Sequence, residues 1–373
     1  MAVSRRRFLK RSIQGGFGVS AGLYGLGATS RIEDKVSSSR RKFLGNLAGA
    51  GVMVSLPSLR ATDAVPAKPR VQTCYFSKHL QWLDWEEMAE TAAELGFDGI
   101  DLTVREGGHV LPERVQEDLP KVTRIVRQAG LDIPMITAGI VDVHSPHAEA
   151  IIRTASEVGI HRYRWGWFSW SDTAKVPDLS NFHASLGRAP AILIDIPGRL
   201  AELKKRVGEL AELNQKFNVC AMYHNHSGSM VGASVWDLWV LLKDFDPRWV
   251  SSNFDIGHAT VEGGLGGWVN SSRLMAPFIR GAAIKDFKWD RNAKGEWEPQ
   301  WCPLGEGMVN FRTFFAMLKE ADFSGPVQLH TEYPLGGVEN GARTLTLEKS
   351  KVLATIRKDL ATLKGWMREA QLA

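Results

Sequence analysis

Residues 97–140 read FDGIDLTVREGGHVLPERVQEDLPKVTRIVRQAGLDIPMITAGI. An apolar run at 97–104 is followed by a stretch at 118–130 with apolar positions at helical spacing, closed by Gly130. A second apolar run follows at once, at 132–140. The pattern predicts strand, helix, strand, and a helix between two sequential strands makes them parallel with a right-handed crossover. The same unit repeats outward. Strands are expected at 71–77, 161–168, 218–225, 250–258, 279–287 and 325–333. Helices are expected at 85–96, 147–159, 198–217, 235–245, near 268–276, at 311–321 and at 347–370. Eight strands, each followed by a helix, predict an α/β fold: one closed (β/α)8 barrel over residues 70–370. No G-x-G-x-x-G follows the first strand, which argues against a dinucleotide-binding sheet.

The chain has 373 residues and a formal net charge of +5. That charge belongs to the N-terminal tail. Residues 1–61 hold eleven Lys and Arg against two Asp and Glu, so the rest holds 35 against 39, a net of −4. A body of that charge has no reason to seek nucleic acid. In the tail, SRRRFLK at 4–10 and SRRKFLG at 39–45 each precede a weakly apolar stretch rich in Gly and Ala. Both resemble the twin-arginine export signal. Residues 1–61 are therefore read as a signal region and linker, with the export machinery as a partner and a periplasmic or otherwise exported destination. One account of the repeat is a start assigned too early, with the working signal beginning near Ser37. The apolar stretches are short and glycine-rich, so no stable membrane span is expected in the mature protein. The three cysteines, Cys74, Cys220 and Cys302, form no CxxC pair and read as buried small residues, with at most one disulfide.

A barrel of this kind places its chemistry at the C-terminal ends of the strands. Seven of the ten histidines fall at such predicted ends. YHNHSG at 223–228 carries His224 and His226, two apart and so on one face of a strand. The sixth strand ends in Asp255 and His258, the seventh in Lys285, and the eighth carries His330 and Glu332. Carboxylate and imidazole together suit divalent metals. His224, Asp255 and Glu332 are the expected metal ligands, for a Mn, Zn, Co, Fe or Mg ion. His226, His258, Lys285 and His330 are the expected acid and base groups around it. Arg105 and His109 after the second strand, with Trp165 and Trp167 on the fourth, are placed to bind substrate.

SNFDIGHA at 252–259, IKDF at 284–287 and HTEYP at 330–334 resemble the sugar phosphate isomerase/epimerase superfamily with the xylose isomerase-like TIM barrel. The resemblance spans about residues 70–365, and YHNH is similar to the fifth strand of its inosose dehydratase-like members. The resemblance implies metal ligands at the positions of His224, Asp255, Ala283 and Glu332. Ala283 stands where the family carries histidine. The resulting expectation is an exported enzyme that removes a proton α to the carbonyl of a non-phosphorylated sugar or keto-glycoside, leading to isomerisation, epimerisation or elimination. The alternative is a carbohydrate-binding barrel that has lost its metal and its activity. A nucleic-acid phosphodiesterase, known on the same fold, is disfavoured by the acidic body and by Ala283. The oligomeric state is not specified by any of these features.

Overall fold

Eight parallel strands close on themselves. The computed structural model describes residues 71–170 and 194–372. The order around the barrel is β1 (Thr73–Phe76), β2 (Gly99–Val104), β3 (Asp132–Ala138), β4 (Arg162–Trp165), β5 (Cys220–His224), β6 (Val250–Asp255), β7 (Ile279–Ile284) and finally β10 (Val327–Leu329), which pairs back onto β1. Each crossover carries helix: α1 (Trp85–Leu95), α2 (Val115–Gln128), α3 (Ala148–Glu157), α4 (Ile196–Phe217), α5 (Trp236–Leu242), the pair α6 (Ile256–Gly263) and α7 (Gly267–Met275), α8 (Phe311–Glu320) and α9 (Lys349–Glu369). The barrel read from the sequence is the barrel observed. The two arginine motifs of the tail lie outside the described residues. Among those described, no helix is long and apolar enough to cross a membrane.

Four strands end well short of the sequence reading: the fourth at Trp165, the sixth at Asp255, the seventh at Ile284 and the eighth at Leu329. The sixth strand was expected to run to residue 258, but it stops at Asp255, and α6 begins at the next residue. Asp255 ends the strand because its side chain caps the helix, Oδ1 accepting from the His258 amide at 2.8 Å. The seventh strand was expected to reach 287. It ends at Ile284, and residues 286 to 302 form an antiparallel hairpin, β8 (Asp286–Arg291) and β9 (Trp297–Cys302), outside the barrel. The Asn292–Gly295 turn was the signal for it, with Gly295 at a φ of 79°.

Strand alternation divides the side chains into two sets. On β5, Cys220, Met222 and His224 point into the barrel, while Ala221 and Tyr223 meet the helices. Met222 and Cys220 fill the lower interior with Met135. The outward set joins a continuous apolar layer with the helices. Cys74, Cys220 and Cys302 are all free and buried, so no disulfide links them.

Candidate active site

The inward residues at the upper strand ends form one buried polar cluster. His224 closes β5, with Nε2 3.5 Å from Asp255 Oδ2. Its Nδ1 lies 3.3 Å from the Asn253 amide nitrogen. The capping bond uses Asp255 Oδ1 and turns Oδ2 into the mouth, where it accepts no hydrogen bond. Lys285, one residue past β7, brings Nζ to 3.2 Å from that oxygen and to 2.6 Å from His258 Nε2. Nζ can only donate, so His258 accepts at Nε2 and donates from Nδ1 to Ser227 Oγ at 2.8 Å. The result is a chain Ser227–His258–Lys285 leaning on Asp255. Gly257 makes this approach possible. A Cβ there would lie 2.8 Å from the Lys285 carbonyl oxygen and 2.9 Å from its Cγ.

His226, in the loop after β5, lays its ring on His258 with centroids 3.7 Å apart. Trp167 packs edge-on against His226 at 5.5 Å and donates from Nε1 to the His224 carbonyl at 2.9 Å. The Lys285 ammonium sits 4.6 Å over the Trp301 ring. That ring separates the mouth from a trough of about 750 Å3 beside the hairpin, lined also by Lys288, Gln300 and Tyr333.

His330 follows β10 and stacks on His224, with ring centroids 5.8 Å apart against 5.9 Å from His224 to His258. It stacks on Phe76 at 4.8 Å, and neither of its ring nitrogens has a hydrogen-bond partner. Glu332 Oε1 lies 3.6 Å from it, while Oε2 takes a 3.2 Å ion pair from Lys78. Burial pushes the Glu332 carboxyl up, but Lys78 and Lys285 outweigh that and hold it well below the usual carboxylate range. Burial drives the other way on the imidazoles. His226 is pushed down to about 3, and His224, His258 and His330 well below their ordinary value, with neighbouring cations adding to the effect. The cluster therefore carries neutral imidazoles.

Sequence reasoning missed four participants. Lys78 lies in the turn after β1, Ser227 in the loop after β5, and Asp101 and Arg164 point inward from β2 and β4. Arg164 was legible from the same alternation that picked out His224. In RYRW at 162–165, Arg164 and Trp165 must take opposite faces. Trp165, expected to bind substrate, faces outward: it is 1% exposed and packs edge-on against Tyr223 at 5.2 Å. Its place in the mouth goes to Arg164. Arg105 lies over the Phe76 ring at 5.7 Å, in the mouth. His109 is tied instead to the end of β2, its amide donating to Thr103 Oγ1 at 3.0 Å and its Nδ1 3.2 Å from the same oxygen. His79 is a structural histidine, bonding the Val338 carbonyl and the Thr331 amide.

Ala283 points inward beside Asp255, as its register requires, and leaves a methyl group where a ligand would reach. His224, Asp255 and His258 bring one ligand atom each within 4.8 Å of one another, while Glu332 stands outside that group. The His224 imidazole and the Asp255 carboxylate are ligand types that suit a borderline divalent cation, while both His258 nitrogens are already engaged by Ser227 and Lys285. In the described arrangement the Lys285 ammonium is the positive charge at that point.

Asp101 is fully buried, accepts from Thr137 Oγ1 at 2.8 Å, and is pushed up to about 6 by burial despite Arg164. A carboxyl raised from 3.8 holds its proton more tightly folded than unfolded. Its contribution to stability is full below the unfolded value and lost as pH rises through about 6. Asp101→Asn is expected to stabilise the protein at pH 7 by up to about 3 kcal/mol, with the gain vanishing below roughly pH 4, measured by urea unfolding at both values.

The family described as xylose isomerase-like TIM barrel matches residues 89–354. No curated protein sequence matches the chain. Among solved structures, a xylose isomerase-like TIM barrel protein from Mycobacterium smegmatis, in complex with magnesium, is 18% identical, covers 79% of this chain and 98% of its own, and superposes with a TM-score of 0.55. The 3-keto-D-glucoside 4-epimerase of E. coli is 13% identical over 79% of this chain and 100% of its own, with a TM-score of 0.54. A D-psicose 3-epimerase, solved in the presence of D-fructose, is 14% identical over 80% and 99%, with a TM-score of 0.52. At these identities the likeness is one of fold. With the match over most of the barrel, the closed ring of eight strands and the polar cluster at its C-terminal mouth, the chain belongs to the xylose isomerase-like TIM barrel family.

Proposed function

We propose that the barrel moves a proton to and from a carbon next to a sugar carbonyl, as an isomerase or epimerase, on a non-phosphorylated sugar or keto-glycoside met after export. The observation that carries this reading is that two separate acid–base groups, His258 with Lys285 and His330, each lie against His224. His258 is held by Ser227 and receives a hydrogen bond from Lys285. The neutral His330 makes no hydrogen bond from either ring nitrogen, with Glu332 Oε1 3.6 Å from Nδ1. Epimerisation needs one group to remove a proton and another to return it from the opposite face. His330 is the base in this reading. Lys285, through the proton it shares with His258, supplies the acid and the positive charge against which a developing enediolate oxygen is stabilised. Trp167 and Trp301 close the two walls and exclude water. A divalent cation held by His224 and Asp255 would add Lewis-acid polarisation of the carbonyl and its neighbouring hydroxyl. The epimerase activities named for two fold relatives, and the magnesium of the third, support this reading.

The test is solvent exchange. In D2O the purified protein, as isolated and after incubation with Mn, Co, Mg or Zn, is expected to place deuterium beside the carbonyl of D-fructose, D-psicose or a 3-keto-glucoside, read by proton NMR. No wash-in with any sugar or ion leaves a barrel that binds carbohydrate without turning it over.

A further inference from the structure

The mouth holds four cationic side chains, and only two are matched. Lys78 is paired with Glu332 at 3.2 Å and Lys285 with Asp255 at 3.2 Å. Arg164 and Arg105 have no such partner. Among the described residues no carboxylate lies within ion-pair distance of either guanidinium, and neither donates a side-chain hydrogen bond. Both instead face the ring of Phe76, Arg164 at 4.7 Å and Arg105 at 5.7 Å, and Arg164 also lies 5.7 Å from the Trp167 ring. Arg164 is 5% exposed. The remaining carboxyl, Asp101, is engaged by Thr137.

A buried guanidinium without an ion-pair partner, as at Arg164, is costly, and the half-buried Arg105 nearby adds like charge. Burial and then the neighbouring Arg105 push Arg164 down to about 10, and burial also lowers Arg105. Within the described fold these charges meet the aromatic faces and, beyond ion-pair distance, the carboxyls of Asp101, Glu332 and Asp255. The forked donors of arginine suit the paired oxygens of a carboxylate or phosphate.

We infer that the sugar handled here carries an anionic substituent, which Arg164 and Arg105 receive over the Phe76 ring beside the proton-transfer groups. This rests on the proposed sugar chemistry for its substrate class, and on the two arginines for the charge. A hexuronic acid supplies a carboxylate. A sugar phosphate supplies a dianion of related geometry, and export favours the carboxylate.

The test is calorimetric titration of the full barrel at low salt with D-glucuronate, D-galacturonate, the neutral methyl ester of each, D-glucose 6-phosphate and inorganic phosphate. Each is titrated into the wild type, Arg164→Gln, Arg105→Gln and Arg164→Lys. Wild type is expected to bind at least one anion ten-fold or more tightly than the matching neutral ester. Arg164→Gln should remove that preference, with partial recovery in Arg164→Lys. Preference for glucuronate or galacturonate over glucose 6-phosphate identifies the carboxylate, and the reverse identifies phosphate. If no anion binds the wild type better than it binds Arg164→Gln, the inference is wrong. A melting measurement without anion gives a second check. Arg164→Met should melt no lower than wild type, because it removes an unpaired charge. A clear fall would show that the guanidinium already serves the fold, which overturns the inference. Anion preference without deuterium exchange on the preferred anionic sugar would leave this inference standing and remove the proton-transfer reading. Exchange on neutral sugars without anion preference would do the reverse.

Discussion

Lys285→Met is expected to lower kcat for solvent-deuterium exchange by about a thousand-fold, within the range for loss of a positioned acid and of a charge facing the reacting oxygen. The side chain is 4% exposed and its Nζ touches both His258 and Asp255, so no water or neighbour can easily replace it. The same substitution leaves the buried Asp255 without its cation. Breaking a buried pair in this way costs about 3 kcal/mol or more, so a fall in melting temperature should accompany the loss of activity. The double variant Lys285→Met with Asp255→Asn separates the two roles. It should regain most of the stability, because the asparagine oxygen can still cap α6 through the His258 amide. It should regain none of the activity. Exchange that survives at wild-type rate in Lys285→Met would remove the lysine from the chemistry.

The second large effect is acid lability. Six buried or half-buried histidines, His79, His109, His224, His226, His258 and His330, all have folded values below 6.5, with burial the leading cause in each. Unfolded, they take up protons as pH falls below about 6.5, while folded they do not. Their contribution to stability is therefore present above that value and lost as pH falls through 6 and 5. Asp101 and Asp359, each pushed up to about 6, act in the opposite sense and offset part of the loss. Near pH 6 the balance is on the order of three protons, or roughly 4 kcal/mol per pH unit. Urea midpoints for the metal-free barrel should fall steeply between pH 7 and pH 5.5. A flat profile over that interval would mean that the histidines are not buried neutral. Divalent metal, if bound at His224 and Asp255, should shift the profile to lower pH, because it holds the imidazoles deprotonated.

The local pattern determined the barrel. Strand and helix periods, glycine stops at residues 96 and 130 and eight repeats of one unit leave few alternatives, because parallel strands with right-handed crossovers close in only one common way. The same alternation put His224, Asp255, Lys285 and His330 at one end of the sheet. It did not place Trp165 correctly, although the rule was available: a residue adjacent to an inward arginine must face out. The sequence also contained the hairpin at 286 to 302, in the Asn292–Gly295 turn, but the apolar run from β7 into Phe287 hid the break at Lys285.

Only the tertiary structure decided who pairs with whom. Asp255 could have faced any of several cations. The helix cap fixes one of its oxygens, and Gly257 lets β7 come close enough for Lys285 to reach the other. Which of His258 and Glu332 stands near His224 depends on the end of β6 and on Lys78, residues far apart in the chain. The unmatched state of Arg164 and Arg105 is likewise invisible in a one-dimensional charge count, since the body as a whole is acidic. Periodicity is a property of neighbours along the chain and can be read there. Ion pairing is set by distances between strands, and those exist only once the barrel has closed.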